Sequence, residues 1–241
     1  MNQQTGLRLP SFFMTEPAPC PYLEGQMERK LFTHLAGSDA DTLNNTLTHA
    51  GFRRSQSIAY RPACDACSAC KSVRVVLNDF TPSTSFRRLM RKNADLTGEV
   101  CPPRTGREQY DLLRRYLDAR HENGGMADMT PGDYVAMVEE TAVDTFVSEY
   151  RTADGVLLAC LLGDRMQDGI SLVYSFFDPR AEKRSLGSLM ILDQIARAKE
   201  AGHAHIYLGY LIEDCRKMAY KKRFAPLQRL GQDGWEDYHP G

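Results

Sequence analysis

The stretch Tyr207-Leu208-Gly209-Tyr210-Leu211-Ile212-Glu213-Asp214-Cys215-Arg216-Lys217-Met218-Ala219-Tyr220-Lys221-Lys222-Arg223-Phe224 decides how the rest of the chain is read. Residues 205 to 211 are mostly aromatic, β-branched or aliphatic around a single glycine, which suits a buried strand. The chain then turns basic: five of the eight residues from Arg216 to Arg223 are Lys or Arg. A short helix here would put Lys217 and Lys221, four apart, on one face. Such a segment is either a solvated charged face or a polyanion site beside a strand end.

Working outward, the preceding segment from Leu186 to Ala201 reads as a helix with a wide apolar side that stops at Gly202. Before it, Ile170 to Phe177 reads as a strand ended by Asp178-Pro179. Phe146 to Arg151 and Val156 to Leu162 form a hairpin around Asp154-Gly155. Helices are expected over 108–121, ending at His121 before a Gly-rich turn, and from Pro131 onward. Upstream of the linker-like Cys101-Pro102-Pro103-Arg104-Thr105-Gly106, the spacing of Leu31, Leu35, Leu43 and Leu47 predicts two short helices over 26–50, split at Gly37-Ser38-Asp39. Ile58 to Pro62 and Ser72 to Leu77 read as strands. A helix capped by Ser83 or Ser85 carries Arg87, Arg88, Arg91 and Lys92. Leu227 to Leu230 is a last strand.

The 241 residues carry 30 Lys and Arg against 31 Asp and Glu, a net charge of −1, so any nucleic-acid claim rests on local charge. No run approaches the roughly 20 apolar residues of a membrane span. Residues 1–15 lack the apolar core of a secretory signal. With seven cysteines and no such signal, reduced thiols and a cytoplasmic location are expected.

Cys64, Cys67 and Cys70 repeat a two-residue spacing, and Cys20 is the natural fourth thiol. Four thiolates make a closed site for zinc or an iron–sulfur cluster; the alternative is a group of free thiols. The two basic clusters, Arg87, Arg88, Arg91, Lys92 and Lys217, Lys221, Lys222, Arg223, are phosphate-backbone binders by type. No nucleophile elbow, Walker loop or dinucleotide fingerprint occurs, which argues against a hydrolase, an NTPase and a dehydrogenase.

Several motifs occur in order: Cys20-Pro21-Tyr22-Leu23, Tyr60-Arg61-Pro62-x-Cys64-x-x-Cys67-x-x-Cys70, Val73-Arg74-Val75, Phe80-x-Pro82-Ser83, Arg91-Lys92-Asn93, Arg120-His121-x-x-Gly124-Gly125-Met126, Ser185-Leu186-Gly187, Tyr207-Leu208-Gly209-Tyr210 and Lys217-Met218-x-Tyr220-Lys221. This set, spanning roughly residues 9 to 231, resembles the aminoacyl-tRNA–protein transferases, in their bacterial aspartate/glutamate leucyltransferase branch. Leu23 stands where the eukaryotic pattern has the second thiol of its first pair. Arg184-Ser185-Leu186-Gly187, after the strand ending at Asp178-Pro179, is similar to the phosphate-cradling turn of the N-acetyltransferase superfamily.

The resemblance implies an α/β (α+β) fold: an N-acetyltransferase-like domain over 105–232, a smaller cysteine-containing N-terminal domain over 1–100, and a tail over 233–241. It implies transfer of leucine from leucyl-tRNA to the α-amine of proteins beginning with Asp or Glu, marking them for degradation. The alternatives are an arginyl donor, or a metal-stabilised RNA-binding module without catalysis. No cofactor is expected for the transfer itself, because the aminoacyl ester is already activated. A monomer is expected. Arg74, or Arg87 or Arg91, would read the acidic side chain, since the arginine fork matches a carboxylate. Tyr174, Asp178 and Tyr207, at strand ends, are the candidate catalytic residues; the terminal ribose 2′-hydroxyl is an alternative proton relay.

Overall fold

The structure is a computed structural model in which residues 10–120 and 127–239 are described. The Gly-rich turn expected over 121–126 lies outside the described residues. The elements are β1 Phe13–Met14, β2 Ala18–Pro19, β3 Met27–Glu28, β4 Lys30–His34, α1 Ala40–His49, β5 Arg53–Ser55, β6 Ile58–Pro62, β7 Lys71–Val76, α2 Thr84–Lys92 and β8 Thr97–Cys101. They continue with α3 Arg107–Arg120, α4 Pro131–Val138, β9 Thr145–Arg151, β10 Leu157–Arg165, β11 Gly169–Phe177, α5 Leu186–Glu200, β12 His205–Leu211, β13 Leu227–Leu230 and β14 Trp235–Tyr238. Segments Pro179–Arg184 and Ala219–Phe224 are 3₁₀ turns.

Eight strands form one sheet in the order β14-β13-β7-β12-β11-β10-β9-β8, and β1-β4-β6-β5 form a smaller one. The linker expected near residues 101–106 does not separate these sheets. β7 and β8, which precede it, lie in the large sheet, and β14, from the expected tail, is its edge. One core cluster joins Val73, Val75 and Phe86 of the first hundred residues to Leu186, Met190 and Ile206 of the last. A second places Leu112, Leu113 and Leu117 of α3 and Tyr134 of α4 against β9, β10 and β11.

Local chemistry explains most elements. Ser83 caps α2 by accepting from the Phe86 amide (3.3 Å). Thr130 and Asp133 form a reciprocal capping box at α4, with Pro131 in its first turn. The helix expected over residues 26–36 is instead β3 and β4. Leu31 and Leu35 are four apart, a spacing shared by a helix face and by every second residue of a strand. Thr33 between them is buried while His34 is exposed, so the strand period is the one realised.

The parallel pair β11–β12 controls the architecture. Its strands are bonded only from Gly169–His205 to Ser171–Tyr207 and then separate. Each stays paired on its other side, β11 to β10 and β12 to β7. The separation leaves carbonyls without a ladder partner, and Arg53 fills the gap from the small sheet. Its Nη1 donates to the Leu208 carbonyl (3.2 Å), and its Nη2 to the Leu172 (2.9 Å) and Val173 (3.0 Å) carbonyls. Gly209 makes room: it has φ +74°, and a Cβ there would collide with Arg53 Nη1.

Two further contacts fix the small sheet. Arg54 donates to both Asp164 oxygens (2.6 and 2.7 Å), a pair 1% and 0% exposed at the side chains. The Tyr210 hydroxyl lies 2.9 Å from the Gly51 carbonyl and 3.0 Å from the Tyr60 carbonyl, as a donor to both.

Gly209→Ala is expected to expel Arg53 and strand its carbonyl partners. The cost is about 3 kcal/mol or more, combining left-handed backbone strain with lost buried hydrogen bonds. A lowered urea midpoint with an unchanged slope is the expected result.

Candidate active site

Where β11 and β12 part, the chain encloses a cavity of about 190 Å³. Leu161, Leu172, Ile191 and Leu208 give it an apolar wall; Tyr174, Ser175, Tyr220, Lys221 and Arg53 give it polar groups. It shares Ser175 and Tyr220 with a 750 Å³ pocket at the start of α5. It shares Arg53, Val173 and Tyr174 with a 630 Å³ pocket that reaches Tyr22, Arg54 and Tyr60 of the first hundred residues. Two molecules can therefore approach one small cavity from two larger pockets.

The α5 pocket suits an anion. Ser185, Gly187 and Ser188 at the helix N-terminus line it, with Lys217, Arg120 and Glu182, whose carboxylate lies 3.4 Å from Arg120. The positive end of the helix and Lys217 favour phosphate there. Ser185 turns the chain into the helix with φ +53°. Arg184 does not face this turn; it donates to Asn93 (2.8 Å) and pairs with Asp95.

The two basic clusters, distant in sequence, come together. Phe86 of α2 stacks on Phe224 at 4.8 Å, and the Arg223 guanidinium lies 5.0 Å from the Phe86 ring. Arg87, Arg88, Arg91 and Lys92 are all exposed on α2. Lys92 Nζ donates to the Lys183 carbonyl (2.6 Å), tying α2 to the basic turn before α5. The result is a cationic band beside the α5 pocket.

Lys221 is different from its neighbours. No α-helix forms after β12, because Cys215, Lys221 and Phe224 all turn inward, and the last two follow the three-residue period of the 3₁₀ turn. Lys221 is 6% exposed and donates to the Tyr210 carbonyl. It is thus removed from any polyanion surface, and the face shared with Lys217 does not exist. Burial, and then the charge of Arg53, push its pKa well below that of an ordinary lysine. Lys217 lines the α5 pocket, and Lys222 lies 3.8 Å from Glu213.

The candidate catalytic residues separate. Tyr174 lines the cavity; its hydroxyl is buried without a hydrogen-bond partner, and burial holds it protonated. Asp178 is committed to structure. It caps the following turn and binds Arg180 (2.6 Å), which keeps its carboxyl below the usual range. Tyr207 sits at the closed end of the β11–β12 pair, where its hydroxyl donates to Asp168 (2.9 Å). Asp168 also meets His205 Nδ1 at 2.8 Å. Against the upward push of burial, these two bonds and the charge of His49 hold its pKa at about 2. Arg74 belongs to the same cluster: it donates to Gln228 (2.8 and 2.9 Å) and Tyr207 (3.2 Å) and stacks 4.3 Å from the Trp235 ring centroid. Three of its five N–H donors are engaged in these bonds.

Cys20, Cys64, Cys67 and Cys70 line a separate cavity of about 370 Å³. Burial, then the neighbouring thiols, push the Cys70 pKa up to about 11. The donor chemistry suits a thiophilic metal. Among the described residues, no group of three or more His, Cys, Asp and Glu side chains is arranged to hold a metal ion.

Comparison with known proteins closes the question of kinship. The family models for the N terminus and C terminus of arginine-tRNA-protein transferases match residues 18–88 and 108–231. The chain belongs to this family. It is 55% identical to the aspartate/glutamate leucyltransferase of Parvibaculum lavamentivorans, over 100% of this chain and 99% of that one. The corresponding protein of Mesorhizobium japonicum is 54% identical, over 95% and 94%. Among solved structures, the C-terminal domain of a putative lysylphosphatidylglycerol synthetase from Agrobacterium fabrum matches with TM-score 0.48 and 18% identity, covering 70% of this chain and 58% of that one.

In this family member the large mixed sheet, with its separated parallel pair and α5 beside it, is the expected α/β (α+β) class of fold. Sequence reasoning overlooked Arg53, Ser175 and the cavity role of Lys221. Arg53 reaches carbonyls 119 to 155 residues away, which no local pattern records.

Lys221→Met is expected to stabilise the fold at neutral pH. With its folded pKa lowered, the lysine binds its proton less tightly in the native chain than in the unfolded one, so this residue costs the native chain stability below the unfolded pKa. The gain, read as a rise in Tm, should shrink as pH approaches the unfolded lysine pKa of about 10.4.

Proposed function

We infer that the protein is an aminoacyltransferase that moves leucine from leucyl-tRNA to the N-terminal α-amine of proteins beginning with Asp or Glu, and so marks them for degradation. The carrying observation is the cavity between β11 and β12. Its wall of Leu161, Leu172, Ile191 and Leu208 suits a branched aliphatic side chain. Arg53 and Lys221 are its basic residues, and among the described residues no carboxylate lines it to pair an arginyl donor. Burying a second guanidinium beside Arg53 would carry a large desolvation and repulsion cost. The full-length relatives named as leucyltransferases support the same donor.

The geometry supports a simple division of labour. The tRNA acceptor end runs along α2 and the turn before α5, with its last phosphates at the α5 N-terminus and Lys217. The leucyl group enters the cavity. The acceptor arrives through the pocket shared by Arg53 and Tyr174. Positive charge for its acidic side chain comes from Lys30, Arg61 and Lys71, which line the adjoining cysteine cavity with Glu28 as the lone carboxylate among the described residues. Holding amine and ester together supplies much of the rate, because the ester is already activated. Tyr174, protonated and unpaired, is placed to donate to the developing oxyanion.

Purified protein is expected to move radiolabelled leucine from leucyl-tRNA to peptides starting with Asp or Glu, and to leave arginyl-tRNA unused. Efficient arginine transfer, or tRNA binding without any transfer, would sink this reading. Arg88→Ala combined with Arg91→Ala should weaken tRNA binding and lower the slope of log K against log salt by about 1 for each phosphate left unneutralised. An unchanged slope in a filter-binding titration would remove α2 from the interface.

A further inference from the structure

Lys221 Nζ is anchored by its bond to the Tyr210 carbonyl at the end of β12, in the wall of the cavity that also holds Tyr174, Ser175 and Tyr220. Among the described residues, no carboxylate lines that cavity. The charged and titratable groups around the amine are Arg53 from β5, Cys215 from the turn after β12, and the Tyr174 and Tyr220 phenols. Burial pushes the pKa of both phenols up, so neither supplies a counter-charge at neutral pH. Burial, and then the Arg53 guanidinium, push the Lys221 pKa down and so favour its neutral amine form, which carries a free lone pair. A basic nitrogen of this kind, held where two substrates meet, is what proton removal from an attacking amine requires.

We propose that Lys221 is the general base of the aminoacyl transfer. The proposal rests on the leucyl-transfer reading above. The acceptor α-amine nitrogen bonds to the ester carbonyl carbon, and the carbonyl electron pair moves to oxygen. Lys221 Nζ takes a proton from the cationic nitrogen. The oxyanion then reforms the carbonyl as the bond from carbon to the ribose oxygen breaks, and the proton on Lys221 passes to that oxygen. An ester and an amine become an amide and a hydroxyl, and the lysine returns to its neutral form.

The competing role for Lys221 is a mere cap on the Tyr210 carbonyl. Lys221→Gln separates the two, because glutamine can donate to that carbonyl but has no basic nitrogen. Single-turnover transfer from leucyl-tRNA to an Asp-starting peptide would be followed across pH with the full chain. The expected result is a rate loss of about 10² to 10⁴ in Lys221→Gln, with tRNA affinity unchanged and part of the rise in rate with pH removed. In Lys221→Ala, added small primary amines should restore leucylation of the peptide, more strongly as their basicity increases. A Gln variant with the wild-type rate and pH profile overturns the proposal. If that variant does not fold, the absence of amine rescue in a folded Ala variant overturns it equally. Failure of the unmodified protein to transfer leucine overturns the donor reading itself, and this proposal with it.

Discussion

The Arg53 guanidinium between two diverging strands is the contact on which the rest of the structure depends. β11 and β12 begin as a bonded parallel pair and separate after Ser171 and Tyr207. Separation is costly unless the freed carbonyls find donors, since buried backbone groups without partners lose about 1–3 kcal/mol each. Arg53 supplies donors to three of them at once. Its planar fork can reach both strands, which a single lysine ammonium on a flexible stem would do poorly. The cavity therefore exists because an arginine from the small sheet holds it open.

This makes the N-terminal sheet part of the candidate site. The adjacent Arg54 is buried against Asp164, while Arg53 enters the gap, because successive residues of β5 point to opposite faces. One short strand thus anchors itself to β10 and props β11 from β12. The closed end of the pair is held differently, by the network of Asp168, His205, Tyr207 and Arg74. A clamped end and a propped end keep the gap fixed, which pre-organises the groups that line it. The charge of Arg53 has a second consequence: it adds to the burial that pushes the Lys221 pKa down.

Much of the fold was legible in local pattern. The strands of the second half, α3, α5, and the caps at Ser83 and Pro131 follow from periodicity and capping chemistry that act over a few residues. Two segments misled for identifiable reasons. Leu31 and Leu35 fit either period, and pairing with β6 chose the strand. The run from Arg216 to Arg223 looks like an exposed basic helix, yet Lys221 and Phe224 are pulled into the core by β12 and α2. Of the candidate site residues, Tyr174 lines the cavity, Asp178 is occupied by Arg180 two residues on, and Tyr207 and Arg74 are held by partners that only the folded chain brings near.

The stretch from Tyr207 to Phe224 shows where the division falls. By itself, the sequence determined the strand, its glycine, the family to which the ordered motifs belong, and the basic character of the two clusters. These depend on side-chain type and short spacing. Only the tertiary structure decided that Gly209 is a seat for Arg53, that the two basic clusters form one band, and that Lys221 faces a cavity instead of solvent. Each of these depends on desolvation or on contacts between residues more than a hundred positions apart, or on which way a turn rolls. No local pattern carries that information.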